Sequence, residues 1–357
     1  MAEERTNKER LKEILRLISP GTPLYEALEN ILRARTGGLI VIGDSEEVMA
    51  LTNGGFRIDA DMHPAALYEL AKMDGAIVLN EEANKILLAN TQLTPDPLIP
   101  TLETGARHRT AERVARQTGN IVICISQRRN VITVYQGNFK YVARDIGVVL
   151  AKANQALETL EKYKSVLQQS LTNLSALEFE DRVTVFDIVT VLQRAQMVCR
   201  IKEEIEFHIY ELGVEGRLVA MQQEELMVGI EGQGLLVIKD YCHEKDNAEK
   251  IWENLMEWES EDLLEPTTLA RALGFSSAMD VLDKQVTPRG YRILSKIPRL
   301  PLPVIENLIQ HFGNLPRVMS ADITELDDVE GIGEVRARSI KEGLRKMKEQ
   351  VLIDRQL

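Results

Sequence analysis

No glycine occurs between Gly147 and Gly213, and no proline between Pro100 and Pro266. These two residue types turn or break a chain most readily, so a stretch without them points to long helices. Within it Ala153, Leu157, Leu160, Leu167, Leu171 and Leu174 recur at spacings of three and four, with Lys164 at the skipped position. That is the apolar stripe of an amphipathic helix of about eight turns with a coiled-coil-like seam. A second helix is expected over about 183–212. The middle of the chain therefore reads as a helical spacer with a solvated acidic surface, dividing the sequence into 1–147, 148–285 and 286–357.

Upstream the pattern is different. Between 37 and 137, short apolar runs alternate with turn residues: GGLIVIG, DGAIVLN, KILLAN, NIVICIS and NVITVYQG. Runs of Ile, Val and Leu bounded by Gly, Asn or Asp read as buried strands. Two pairs read as hairpins, 76–79 with 86–89 and 121–126 with 131–135, and helices are expected over 64–72 and 110–117. Hairpins make neighbours antiparallel, so residues 1–147 are expected to form an α/β domain with a mixed sheet flanked by helices. Segment 286–357 contains a repeat at an offset of 32 residues, which sets Ile297 on Val329, Ile305 on Ala337 and Leu308 on Ile340. A repeat marks one supersecondary unit used twice. Here the unit is helix, tight turn, helix, with 315–326 bridging the copies, so spacer and tail are both expected to be all-α.

Composition narrows the class. The chain has 357 residues, 44% of them hydrophobic, room for two or three globular domains. No apolar run reaches the ~18 residues of a membrane helix, and the charged first fifteen residues hold no signal core. The three cysteines are odd in number and scattered, which argues for a reducing cytoplasm and against a disulfide framework or zinc site. The net charge of −12 argues against nucleic acid until it is apportioned. Residues 1–150 hold 18 basic against 19 acidic residues, 151–285 hold 13 against 26, and 286–357 hold 12 against 10. Only the tail has a positive balance, and binding follows the local patch.

Signals for phosphate are densest between 104 and 129. Arg107, Arg109, Arg113, Arg116, Arg128 and Arg129 crowd an otherwise neutral domain, with His108 among them. The phrase ETGARHRT brings a Gly-containing loop into the expected helix TAERVARQ. A helix start offers free N–H groups and a positive dipole end, and guanidiniums beside it suit polyphosphate. Thr110 is the candidate cap or hydroxyl donor. Arg113 and Arg116 read instead as decoration of a solvated helix face. Asp74-Gly75-Ala76 precedes a strand, and Asp-Gly turns are common there. A triphosphate site, however, needs a carboxylate for Mg²⁺ or Mn²⁺, and Asp74 is the candidate, with Gly75 allowing a nucleotide close to the backbone. No P-loop, GxGxxG, HExxH or Ser/His/Asp arrangement is present. His63, His208, His243 and His311 are scattered and read as surface or helix-end residues.

The tail phrase Val329-Glu-Gly-Ile-Gly-Glu-Val-Arg-Ala-Arg338 is a helix–hairpin–helix pattern. Gly331 and Gly333 permit a tight turn with outward N–H groups, Ile332 plugs back between helices, and Arg336, Arg338 and Lys341 follow. Such a turn grips phosphates without reading bases, favouring DNA shape such as a branched duplex. The first copy has Arg299 and Pro301 in place of the glycines, so it is expected to pack more than bind.

Taken together, PGTPL at 20–24, GGF at 54–56, ELAKMDGAI at 69–77, RHRTAER at 107–113, LPRVM at 315–319 and GIGEVRAR at 331–338 resemble the bacterial DNA integrity scanning proteins, a family of diadenylate cyclases. The resemblance runs along essentially the whole chain. It implies condensation of two ATP into cyclic di-AMP and two pyrophosphates with Mg²⁺ or Mn²⁺. Asp74 would bind metal and help activate the 3′-hydroxyl, while Arg107, His108 and Arg109 hold the phosphates. Adenine and ribose would lie near Gly75 and Leu93, and phosphates near Ala106–Thr110, Ser126 and Arg128. It also implies a homo-octamer whose tails bind branched DNA, such as four-way junctions, and thereby lower the activity, in a cytoplasmic protein associated with the nucleoid. The competing reading is a non-catalytic DNA-junction scaffold whose first domain senses ATP.

Overall fold

The computed structural model describes residues 2–243, 247–258, 262, 263, 265–276 and 279–354. Met1, residues 244–246, 259–261, 264, 277 and 278 of the expected spacer, and 355–357 of the expected tail lie outside the described residues. The chain divides into two compact units, Met1–Gln155 with Ile205–Met221, and Ala156–Glu204 with Gln222–Leu357. All three boundaries fall inside helices: α6 (Ile146–Glu180), α7 (Val185–Leu212) and the helix Arg217–Met227.

The first unit is built on an eight-stranded mixed sheet. Its strands are β1 (Gly38–Ile42), β2 (Thr52–Asn53), β3 (Phe56–Asp61), β4 (Ala76–Leu79), β5 (Lys85–Leu93), β6 (Ile121–Ser126), β7 (Val131–Gln136) and β8 (Phe139–Val142). They lie in the order β2-β5-β4-β1-β6-β7-β8, with β3 also on β5. β1 and β4 are parallel, and both expected hairpins, β4–β5 and β6–β7, are antiparallel. Alternation along a strand sends successive side chains to opposite faces, so two cores form. Ile40, Ile42, Ile77, Leu79, Ile123 and Ile125 pack with Ile14, Leu28, Ile31 and Leu67 from α1 (Ala2–Ile18), α2 (Pro23–Ala34) and α4 (Pro64–Leu70). Leu39, Val41, Val78, Val122 and Cys124 pack on the other side with Ala111, Val114 and Ala115 of α5 (Ala106–Thr118).

α5 begins four residues before the expected start. Gly105 is its N-cap, so Thr110 lies within the helix and does not cap it. The apolar periodicity begins only at Ala111, whereas the good helix formers Ala106 and Arg107 already carry the first turn.

The spacer's expected apolar face, Ala153 in the first unit and Leu157, Leu160, Leu167, Leu171 and Leu174 in the second, is buried. The repeat of the C-terminal segment is visible in the backbone. Helices Tyr291–Leu294 and Ile323–Asp327 correspond, as do Leu302–Phe312 and the start of Glu334–Asp354. Ile297, Val329, Ile305, Ala337, Leu308 and Ile340 share one core. Arg299 takes φ +64° where Gly331 takes φ +84°, so the first copy keeps the left-handed turn with a residue that adopts it at a cost of about 1–2 kcal/mol. Asp240 ties this segment down by accepting the N–H groups of Gly290, Tyr291 and Arg292 at 2.7, 2.6 and 3.1 Å. Arg292 itself is buried against Glu178.

Candidate functional site

The sheet register assembles the site before any side chain is considered. β1 pairs Ile40 with Ile77 of β4 and Gly38 with Ile125 of β6, while β4 pairs Ala76 with Thr91 of β5. Continuing each ladder toward its end sets Leu93, Asp74, Gly37 and Ser126 in a row where β1 and β4 begin. Four residues far apart in the chain thus share one edge.

The first turn of α5 stands over this row. The first backbone bond of the helix runs from Arg109 N–H to Gly105 O at 2.9 Å, which leaves the N–H groups of Ala106, Arg107 and His108 without a helical partner. The Arg107 guanidinium reaches down to Asp74 Oδ1 at 3.2 Å and lies so close to Gly37 that a Cβ there would meet Nη1 at 2.6 Å. Asp74 is fully exposed apart from this contact, and Arg109 is exposed as well. Arg128 is exposed in the β6–β7 turn, and Ser126 Oγ accepts the N–H of Arg129 at 3.2 Å. Leu93 is buried at the end of β5.

Gly75 has a structural duty that the sequence does not reveal. A Cβ on it would meet the Asn90 carbonyl carbon at 2.4 Å, and its N–H donates to Asn90 Oδ1 at 3.1 Å. Asn90 itself takes φ +54°, at the irregular register of β4 and β5.

His108 is half-buried and joined to residues that no motif marks. Its Nδ1 lies 3.0 Å from the Tyr135 hydroxyl, which donates to Glu103 Oε1 at 2.9 Å. Lys140 Nζ donates to the same Glu103 oxygen at 2.5 Å. Burial lowers the His108 pKa below its ordinary value, so the ring is neutral at pH 7. Burial works to raise Glu103, but the hydrogen bonds from Lys140 and Tyr135 outweigh it and hold the carboxyl below its usual range. Burial, and then the bond to Glu103, push Tyr135 well above the usual tyrosine range.

Arg113 and Arg116 do not decorate a solvated face, as their positions suggest. Arg113 Nε donates to Ile99 O at 3.0 Å, and Arg116 Nη1 to Pro100 O at 2.6 Å. Arg116 also pairs with Glu112 at 2.6 Å, and Glu112 accepts from Thr101. The two arginines reach back over the preceding loop because its carbonyls have no ladder of their own. His208 also departs from expectation: it is buried, 3.1 Å from Glu211, which accepts the Tyr141 hydroxyl at 2.8 Å.

In the tail, Ile332 is buried between glycines at the turn, Arg336 Nη1 donates to Gly331 O at 2.5 Å, and Arg338 pairs with Glu334 at 2.5 Å. Lys341 is committed elsewhere, donating to Met319 O at 2.9 Å and Ala321 O at 2.5 Å. It closes the end of the Leu315–Ser320 helix.

The comparisons agree with this layout. Residues 25–139 match the model of the DisA bacterial checkpoint controller nucleotide-binding region, and 143–282 that of the DisA bacterial checkpoint controller linker region. The DNA integrity scanning protein DisA of Carboxydothermus hydrogenoformans is 60% identical over 344 residues, 96% of this chain and 98% of that protein. The chain belongs to the DisA family. DisA of Symbiobacterium thermophilum is 57% identical over 97% of this chain and 98% of its own length, and that of Clostridium kluyveri 55% over 98% and 99%. Among solved structures, DacA from Staphylococcus aureus aligns at a TM-score of 0.28 with 17% identity, over 41% of this chain and 91% of that one, a likeness too slight to build on. This DisA-family chain carries the family's nucleotide-binding domain, and among its described residues no helix is long and apolar enough to cross a membrane.

Proposed function

We propose that the chain is a diadenylate cyclase that condenses two ATP into cyclic di-AMP and two pyrophosphates. Membership of the family supports this reading, and the Asp74–Arg107 pair beneath the free N–H groups of α5 carries it. That arrangement sets a carboxylate and an anion-binding helix start side by side. Each ATP offers its 3′-hydroxyl to the α-phosphorus of the other. A P–O bond forms, the bridge to the β-phosphate breaks, pyrophosphate leaves with the electron pair, and the hydroxyl gives up its proton.

Arg107 exchanges its carboxylate partner for phosphate oxygens, and Arg109, Arg128 and the N–H groups of Ala106, Arg107 and His108 neutralise the charge that moves toward pyrophosphate. Gly75 and Leu93 border the nucleoside, Ser126 and Thr110 the phosphates, and Asp74 takes up the hydroxyl hydrogen. Among the described residues no three ligating side chains converge, so Mg²⁺ or Mn²⁺ would be held by Asp74 together with triphosphate oxygens. The exposed carboxylate, engaged by one guanidinium alone, fits that use. The cation would offset phosphate charge. One domain offers half of a two-fold site, so two must face each other, and the octamer implied by the resemblance provides such pairs.

The same reading makes 286–357 a tandem helix–hairpin–helix domain that binds branched DNA through Gly331, Ile332, Gly333, Arg336 and Arg338, while Lys341 holds the end of the Leu315–Ser320 helix, and lowers synthesis when occupied. Incubation with ATP and Mg²⁺ or Mn²⁺, with and without a four-way junction, and mass spectrometry of the products tests both halves. Cyclic di-AMP that falls on adding junction is the expected result. Junction binding without product under either metal would favour the ATP-sensing scaffold.

A further inference from the structure

The unpaired N–H groups at the start of α5 can grip phosphate only if the first turn is held still. Gly105 supplies no side-chain cap. What holds that turn comes from three other elements. The Tyr135 hydroxyl on β7 has one hydrogen, and its partner Glu103 is an ionised carboxylate that only accepts. The hydroxyl oxygen therefore accepts from His108, which places the ring proton on Nδ1. Glu103 is itself fixed by Lys140 on β8 and by its own N–H to Thr101 Oγ1 at 3.1 Å. Lys140 is steadied in turn, because the next residue, Tyr141, points to the opposite face and is anchored on the buried Glu211.

We propose that Tyr135, Glu103 and Lys140 are positioning residues that moor His108, and through it the first turn of α5, in the geometry that grips the triphosphate. The proposal rests on the ATP reading above. His108 is then an anchor whose Nδ1–H is spent on Tyr135, and whose Nε2 is buried without a partner among the described residues. Phosphate is met by the backbone N–H groups and by Arg107 and Arg109. The charged groups facing His108 are Glu103 in the preceding loop, Lys140 on β8 and Arg129 in the β6–β7 turn.

The test uses the full chain and α,β-methylene-ATP, whose bridge cannot be cleaved, with affinity measured by calorimetry. Tyr135→Phe keeps the ring and removes both hydrogen bonds. It is expected to weaken binding by about tenfold or more, the range usual for lost positioning partners. Glu103→Gln, which still accepts from Tyr135, is expected to retain most of the affinity. Lys140→Met, on a partly exposed side chain, provides a variant whose folding is not at risk, and a loss of about threefold is expected there, since it removes one partner of Glu103 and leaves the bond from Tyr135 in place. Ile123→Val, in the opposite core, should lower thermal stability without changing affinity. Imidazole ¹⁵N spectra should show His108 protonated at Nδ1 in the unaltered chain and shifted toward Nε2–H in Tyr135→Phe. Unchanged affinity in Tyr135→Phe and Lys140→Met, or an Nε2–H ring in the unaltered chain, overturns the mooring. Failure of the unaltered chain to bind the analogue overturns the ATP reading, and the proposal with it.

Discussion

Arg292→Met tests the buried pair that ties the C-terminal segment to the spacer. Arg292 and Glu178 are both fully buried, and they face each other through Arg292 Nη2 and Glu178 Oε2. Glu178 also accepts the Tyr241 hydroxyl at 2.8 Å, and Arg292 Nη2 lies 3.1 Å from Ser175 Oγ. Removing the guanidinium leaves a buried carboxylate with one hydroxyl donor and no ion-pair partner, a loss of about 3–5 kcal/mol. At ~2–4 °C per kcal/mol for a unit of this size, its melting temperature should fall by about 6–20 °C. Arg292 Nε and Nη1 have no hydrogen-bond partner among the described residues, so the pair is incompletely solvated by the protein and its net worth is small. Arg292→Met combined with Glu178→Gln removes both charges and keeps an acceptor for Tyr241. It should therefore recover most of the loss. Urea denaturation followed by far-ultraviolet circular dichroism measures the unaltered chain and both variants. A single variant costing less than about 1 kcal/mol, or a double variant no better than the single, would refute the claim that desolvated charge dominates here.

Other expectations are as direct. Asp74→Asn should abolish cyclic di-AMP synthesis while keeping ATP affinity within about tenfold, because a single exposed carboxylate is lost and the phosphate-gripping groups remain; product assay and calorimetry decide it. Gly75→Ala should destabilise the first unit by about 1–3 kcal/mol in thermal melts, since its Cβ would drive into the Asn90 backbone at 2.4 Å. Gly331→Leu with Gly333→Leu should remove junction binding and inhibition yet spare basal synthesis; inhibition that persists counts against the tail reading. Burial, then the nearby Glu178, push Asp240 up to about 7. Its folded value lies above the unfolded one near 4, so its contribution is full below about pH 4 and is lost as pH rises through about 7, by up to ~4 kcal/mol. Urea midpoints should thus be higher at pH 6 than at pH 8, and Asp240→Asn should flatten that slope.

Much of the scaffold was legible in the residues. The Ile, Val and Leu runs became β1, β4, β5, β6 and β7, and the hairpins followed from Asn- and Gly-bounded turns. The leucine stripe from Ala153 onward marked α6. Short or exposed strands escaped notice: β3 is mostly exposed and β8 half-exposed, so neither shows a continuous apolar run. The start of α5 lies before the apolar periodicity, because helix-forming polar residues precede its first buried one. The bonds of Arg113 and Arg116 are not legible in the sequence, because a helix face by itself carries no sign of the loop that folds over it.

Periodicity and turn chemistry act within a few residues, which is why the sequence alone determined the two classes of segment, the hairpins and the 32-residue repeat that reappears as matching left-handed turns at Arg299 and Gly331. Strand order is a different matter, because it depends on which ladders form between segments tens of residues apart. Only the tertiary structure could set Leu93, Asp74, Gly37 and Ser126 on one edge, or bring Glu103, Tyr135 and Lys140 around His108. Those meetings are enforced by burial of two opposite faces of one sheet, where a register slip of one residue would turn every apolar side chain to the wrong side.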